Sequence, residues 1–289
     1  MLSFFRNVGR GILFSNLFIA ACAFGLVWQT YLLLQLPVKL WLAGLAFLAT
    51  FFIYNLDGLL PYKFNQNVVI SERKLWLARN RSILLIFLGL AGLSSFYLFI
   101  RHGQIDHFWF IAHLVVISLL YSSRIIPQKN GTYMPLRNVP LVKVFLIAYV
   151  WSCVTVILPL QTVNMPIFTL EAGVLLLRRF FFLFALTLLF DIRDFEKDRI
   201  TSTLTFPGLF GVRLTKVFSL LLLLIFAVFT FFTEEGLVLL NLELSAVVAA
   251  LVVWFSHEKR SDYYFLILAD GMMLLQFFLV YLAVSKIIS

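Results

Sequence analysis

Residues 190–199 read FDIRDFEKDR and follow directly on the apolar run Leu170–Phe190. Three carboxylates, Asp191, Asp194 and Asp198, stand at i, i+3 and i+7. At about 100° per residue they fall within an arc of about 60° on one helix face, over about 10 Å of its axis. Carboxylates so placed repel one another unless something positive sits between them. Mg²⁺ is one answer, because it takes oxygen ligands, keeps several waters and bridges one or two carboxylates to a substrate phosphate. That reading makes the stretch a Mg²⁺–diphosphate site where a membrane helix meets the membrane surface. The other answer is a solvated helix end whose acids pair locally with Arg193, Lys197 and Arg199.

The surrounding composition decides what kind of helix this is. Hydrophobic residues make up 62% of the chain and charged residues 13%, with mean hydropathy +0.98. Soluble domains carry about 25% charged residues, so the chain is expected to be an integral membrane protein surrounded by lipid, with no nucleic-acid partner. Cys22 and Cys153 lie inside apolar runs and imply no disulfide framework. The histidines (His102, His107, His113, His257) show no metal-ligand spacing.

Working outward, the apolar runs are Ile12–Leu34, Leu40–Tyr54, Ile83–Ile100, Phe108–Tyr121, Leu141–Leu160, Leu170–Phe190, Val217–Phe232, Leu237–Phe255 and Tyr263–Ile288. They predict an all-α polytopic membrane protein of nine transmembrane helices, forming one domain over residues 1–289, with a short interfacial lead-in before the first. Of the 23 Lys and Arg, all but Lys39, Arg101, Arg178, Arg179 and Lys286 fall on one side of such a topology. The positive-inside rule then puts the N-terminus in the cytoplasm and the C-terminus outside. The long polar loops 55–82, 122–140, 191–216 and 256–262 are all cytoplasmic in that arrangement. Loops 54–81 and 191–216 share an outline of acidic or amide residues followed by basic ones, as a weak internal duplication would produce. Two further charged positions lie within runs. Asp270, about 15 Å into the last helix, is expected either to face a substrate cavity or to make a structural hydrogen bond. Glu171, Arg178 and Arg179 are expected to snorkel at the outer end.

At this point the chain resembles the UbiA superfamily of intramembrane prenyltransferases. That family has nine helices and two Asp-rich motifs at the cytoplasmic ends of the second and sixth. Its second motif, D-x-x-D-x-x-x-D, is matched by Asp191, Asp194 and Asp198. The following STLTFPGLFG, Ser202 to Gly211, resembles a family segment through Thr205, Pro207 and Gly211. LLYSSRIIP and LRNVPLVK after the fourth helix resemble another. The first motif departs from the family's N-D-x-x-D-x-x-x-D. Only Tyr54, Asn55 and Asp57 offer polar groups, while Leu56, Leu59 and Lys63 stand where acids are usual. Asn55 and Asp57 are about 200° apart on a helix, so both face one ion only if the helix unwinds, which Gly58 and Pro61 favour. Otherwise the first metal is replaced by something positive such as Lys63.

The resemblance implies a Mg²⁺-dependent transfer of an isoprenyl group from a prenyl diphosphate to a lipophilic acceptor, in a bacterial cytoplasmic membrane. Asp191, Asp194 and Asp198 would hold the metal, with Asn55 and Asp57 as the rest of the catalytic set. Arg73, Lys74, Arg79, Arg81, Lys143 and Arg199 are the candidates for the phosphate oxygens, and Asp270 for the substrate cavity. The departure in the first motif leaves an alternative: an inactive homologue that binds or moves a polyprenyl lipid. An ion-coupled transporter using Asp270 is the third reading.

Overall fold

The computed structural model describes residues 2–59, 72–103, 105–127, 133–136, 139, 141–200 and 203–288. Lys63, Pro61 and Ser202, singled out above, lie outside them. The architecture is all-α, with one small antiparallel ribbon between the fourth and fifth apolar runs: β1 (Arg124–Pro127) and β2 (Tyr133–Pro135), paired Arg124 to Pro135 and Pro127 to Tyr133. The helices are α1 (Leu2–Phe14), α2 (Leu17–Leu33), α3 (Leu40–Leu59), α4 (Glu72–Arg79), α5 (Arg81–His102), α6 (Ile105–Ser122) and α7 (Val142–Ser152). After α7 a π turn, Cys153–Ile157, leads into α8 (Leu158–Thr162). Then follow α9 (Leu170–Ile200), α10 (Phe206–Thr233), α11 (Gly236–Phe255) and, through a second π turn at Tyr264–Ala269, α12 (Gly271–Ile288).

Each expected run is therefore helical. Among the described residues, seven helices are long and apolar enough to cross a membrane, and eight if α1 and α2 count as one bent span; Phe108–Tyr121 is shorter. Two expectations change. The first run is not one helix with a lead-in, because the chain breaks at Ser15–Asn16 and turns by 65°. Asn16 sits in the left-handed region at φ 63°, which asparagine tolerates better than most residues. The polar segment after Phe190 is not a loop either. α9 continues through the whole acidic motif to Ile200, so the three carboxylates share one rigid helix of about 46 Å.

Helices α2, α3 and α5 pack in succession, as do α9, α10, α11 and α12, and the arrangement closes where α12 lies against α2. In lipid, close packing replaces the hydrophobic effect as the force between helices, and small residues permit it. Ala20, Ala23, Ala43, Ala46, Ala148, Ala185, Ala249 and Ala269 are all buried at such contacts. Gly25 carries the α2–α12 approach, since a Cβ there would stand 3.1 Å from the Phe277 ring. α5 does the opposite: Ile86, Leu93 and Phe96 project outward, as on a lipid-facing helix.

The two buried arginines in the first half of α9 are matched internally, as a lipid environment demands. Arg178 and Arg179 do not snorkel; both are buried. Arg178 pairs with Glu234 at 2.6 Å and donates to Thr233 at 2.9 Å. Arg179 donates to Gln29 Oε1 at 2.6 Å; the Gln29 amide turns to Gln276, whose own amide donates to Ser245. The helix dimension that placed both arginines near an end missed that α9 turns them inward. Arg178→Ala is expected to lower stability by about 3 kcal/mol by leaving Glu234 without a partner. The double variant with Glu234→Leu should regain most of it, as read from thermal unfolding in detergent.

Candidate functional site

The acidic stripe of α9 has its positive charge from a neighbouring helix. Lys143, in the first turn of α7, donates to Asp191 Oδ1 at 2.7 Å, and Asp191 is 2% exposed. The Lys143 ammonium is coupled electrostatically to Asp194 and Asp198 as well. Asp194 is gripped by the residue before it, Arg193 Nε and Nη2 each donating to one carboxylate oxygen at 3.0 Å. The same guanidinium lies over the Phe190 ring, 5.0 Å from its centroid. Asp198 is buried one turn further on. Within the motif the Arg193–Asp194 pair is local, whereas Arg199 meets Glu196 at 3.5 Å and is largely exposed.

The stripe continues inward. Phe180, Phe184, Thr187, Asp191, Asp194 and Asp198 follow one another at helical spacing along one face. On either side of it Phe182, Leu183, Ala185, Leu186, Leu188 and Leu189 are fully packed, whereas Phe180, Phe184 and Thr187 remain half-buried. Phe184 meets Phe206 and Phe218 of α10, and Phe180 meets Phe145 of α7. An apolar aromatic row therefore leads into the carboxylates. The spacing was present in the sequence, but among 33 phenylalanines nothing in it distinguished these.

At its C-terminal end the stripe meets a second turn. Thr205 precedes α10, Pro207 occupies its first turn, where a missing N–H costs nothing, and Gly211 breaks the helix at φ +81°, which a side chain would resist. The segment that resembled a family motif thus works as a helix start and kink beside the acids.

The first-motif residues behave differently. α3 runs unbroken to Leu59, so the expected unwinding at Asn55–Gly58 does not occur. Asn55 is fully buried. Its amide donates to Ser15 O at 2.9 Å and Phe51 O at 2.8 Å, and its Oδ1 accepts from Asn16 Nδ2 at 3.1 Å. The side chain is spent on holding the α1–α2 break against α3. Asp57 is half-buried two positions on, on a different face.

Arg73, on α4, donates to the free oxygen of the same node, Asn16 Oδ1. Its Nε is buried with no hydrogen-bond partner among the described residues. Burial pushes this guanidinium's pKa down, and the charge of Arg193 acts in the same direction; Asp270, Asp262 and Tyr54 oppose them. Burial, then Lys197, likewise lowers the Lys74 ammonium. Asp270 is buried just after the second π turn. Its backbone carbonyl, not its carboxylate, receives the Cys22 thiol at 3.4 Å. Tyr54 accepts from the Trp151 indole at 3.2 Å. Arg10 closes the end of the bundle by reaching Glu72 on α4 at 2.6 Å and the Tyr263 hydroxyl at 3.2 Å. Of the expected phosphate ligands, Lys143 and Arg73 join the acids' neighbourhood, whereas Arg79, Arg81 and Arg199 face outward. Asn16 and Arg193 are the positions that sequence reasoning undervalued; their partners are remote in the chain or on a different helix face.

The fit to Mg²⁺ differs between the two motifs. The α9 stripe offers oxygen ligands of the right chemistry. Among the described residues no three His, Cys, Asp or Glu side chains lie together as one ion would need, so an ion there takes at most two carboxylates and completes its sphere with water. At the first motif the residues do not fit an ion at all. No family model, no curated protein and no solved structure matches the chain.

Asn55→Ala is expected to cost about 2 kcal/mol, because it orphans buried carbonyls and Asn16 together. The drop in thermal midpoint should be the same with and without a chelator. A drop that appears only when divalent metal is present would make Asn55 a ligand instead.

Proposed function

We propose that the chain is a prenyltransferase of the UbiA type, transferring an isoprenyl group from a prenyl diphosphate to a lipophilic acceptor at the cytoplasmic end of its helices. The observation that carries this reading is the single stripe on α9, where the Phe180–Phe184 row runs into Asp191, Asp194 and Asp198 with Lys143 and Arg193 beside them. An amphiphile with an apolar tail and a charged head needs that order of surfaces. Nine crossings, counting α1–α2 as one and the short α6 as another, with the N-terminus inside, put the stripe's charged end on the cytoplasmic face. The distribution of Lys and Arg supports that orientation. A bacterial cytoplasmic membrane is the setting this topology suits.

The reaction breaks the allylic C–O bond, with the electron pair leaving on the diphosphate, and forms the bond from acceptor to allylic carbon as the acceptor sheds a proton. The carboxylates of Asp191, Asp194 and Asp198 would hold Mg²⁺, no more than two of them on one ion, and the metal would supply positive charge to the departing diphosphate. Lys143 and Arg193 keep the carboxylates in place and add positive charge of their own beside the leaving group. Phe180 and Phe184 exclude water from the tail, and their ring faces suit a passing allylic cation.

One observation favours the alternative, a non-catalytic chain that binds or moves a polyprenyl lipid: Asn55 is consumed by structure. The test measures binding of a non-hydrolysable prenyl thiodiphosphate to the purified protein with Mg²⁺, with EDTA and in Asp194→Asn. Removing the metal or the Asp194 charge is expected to weaken binding about tenfold or more without loss of the folded state. Binding indifferent to both would sink the enzyme reading and leave the lipid carrier.

A further inference from the structure

The two ends of the diphosphate site are unequally equipped with acids, and the shortfall lies where Arg73 sits. The three acceptor and donor positions of Asn55 that the structure describes are filled by Ser15, Phe51 and Asn16, and α3 does not unwind to bring Asp57 round. Among the described residues, a divalent ion placed there could take the Asn55 oxygen only by dismantling the α1–α2 break. Positive charge is present at that node in another form. Asn16, which holds Asn55 through its amide, holds Arg73 through its oxygen.

Arg73 is not at rest in the protein alone. Its Nε is buried and has no acceptor among the described residues. The positive charge of Arg193, two of whose nitrogens are committed to Asp194, opposes that of Arg73. The acids that attract Arg73, Asp270 and Asp262, make no described ion pair with it. A buried guanidinium donor without an acceptor is what a bound anion relieves. Phosphate oxygens suit it best, since the planar fork accepts two of them at once.

We propose that the Arg73 guanidinium stands in place of a first metal ion, so that the diphosphate is held by a single divalent ion on the α9 carboxylates and by the fixed charge of Arg73. The proposal rests on the reading of the site as a prenyl-diphosphate site. In that reading the first motif serves the diphosphate through a fixed organic cation that supplies the positive charge an ion would otherwise bring.

The experiment counts ions. Full-length protein in detergent, loaded with farnesyl thiodiphosphate and Mn²⁺, is read by electron paramagnetic resonance for Mn²⁺ bound per chain. One uncoupled Mn²⁺ is expected. Arg73→Ala should weaken the probe about tenfold or more at saturating Mn²⁺, and Arg73→Lys by less, since it keeps the charge and loses the fork. Two Mn²⁺ per chain, or unchanged probe affinity in Arg73→Ala, overturns the proposal while leaving the diphosphate reading intact. If the alanine variant does not fold, the wild-type ion count decides alone. Failure of the wild-type chain to bind the probe overturns the diphosphate reading itself, and the proposal with it.

Discussion

Lys143 reaches across from α7 to Asp191 at 2.7 Å, and the charges at that end of the bundle are arranged around this pair. Three carboxylates within about two turns of one helix would otherwise drive each other's protonation or fray the helix. With one ammonium coupled to all three, α9 stays helical to Ile200 and the acids keep fixed positions. The pair also joins two helices that are distant in sequence. Breaking it would release a buried charge as well as a contact.

What the sequence made legible was whatever depends on local periodicity. The nine apolar runs became helices, and the i, i+3, i+7 spacing of the acids became a stripe. That Asp191, Asp194 and Asp198 stay within a helix was implicit in the same spacing, yet their polarity had argued for a loop. What stayed hidden depends on partners remote in the chain. Nothing near Asn16 announces that it joins Asn55 and Arg73, 39 and 57 residues away. Nothing near Arg179 announces Gln29, which lies 150 residues earlier. Asparagine in the middle of an apolar run is equally compatible with a ligand and with a structural clamp. Only the count of its filled hydrogen bonds separates the two.

The same count explains why the polar ends of α3 and α9 are not chemically alike. On α9 the acids are matched by side-chain charges: an ammonium and a neighbouring guanidinium. On α3 the polar side chain is matched by backbone carbonyls, which cannot move without unfolding the turn.

The inward-facing arginines of α9 bear on how the chain enters its membrane. At the middle of a lone helix, two arginines cost about 5–7 kcal/mol on insertion scales, a large fraction of what the flanking leucines and phenylalanines return. Their partners lie to either side in order of synthesis: Gln29 on α2 is made long before them, Glu234 just after α10. α9 therefore gains a favourable place in the bilayer only once α2 is waiting and α10 has followed. Insertion of the sixth apolar run is therefore expected to be cooperative with the spans that carry Gln29 and Glu234.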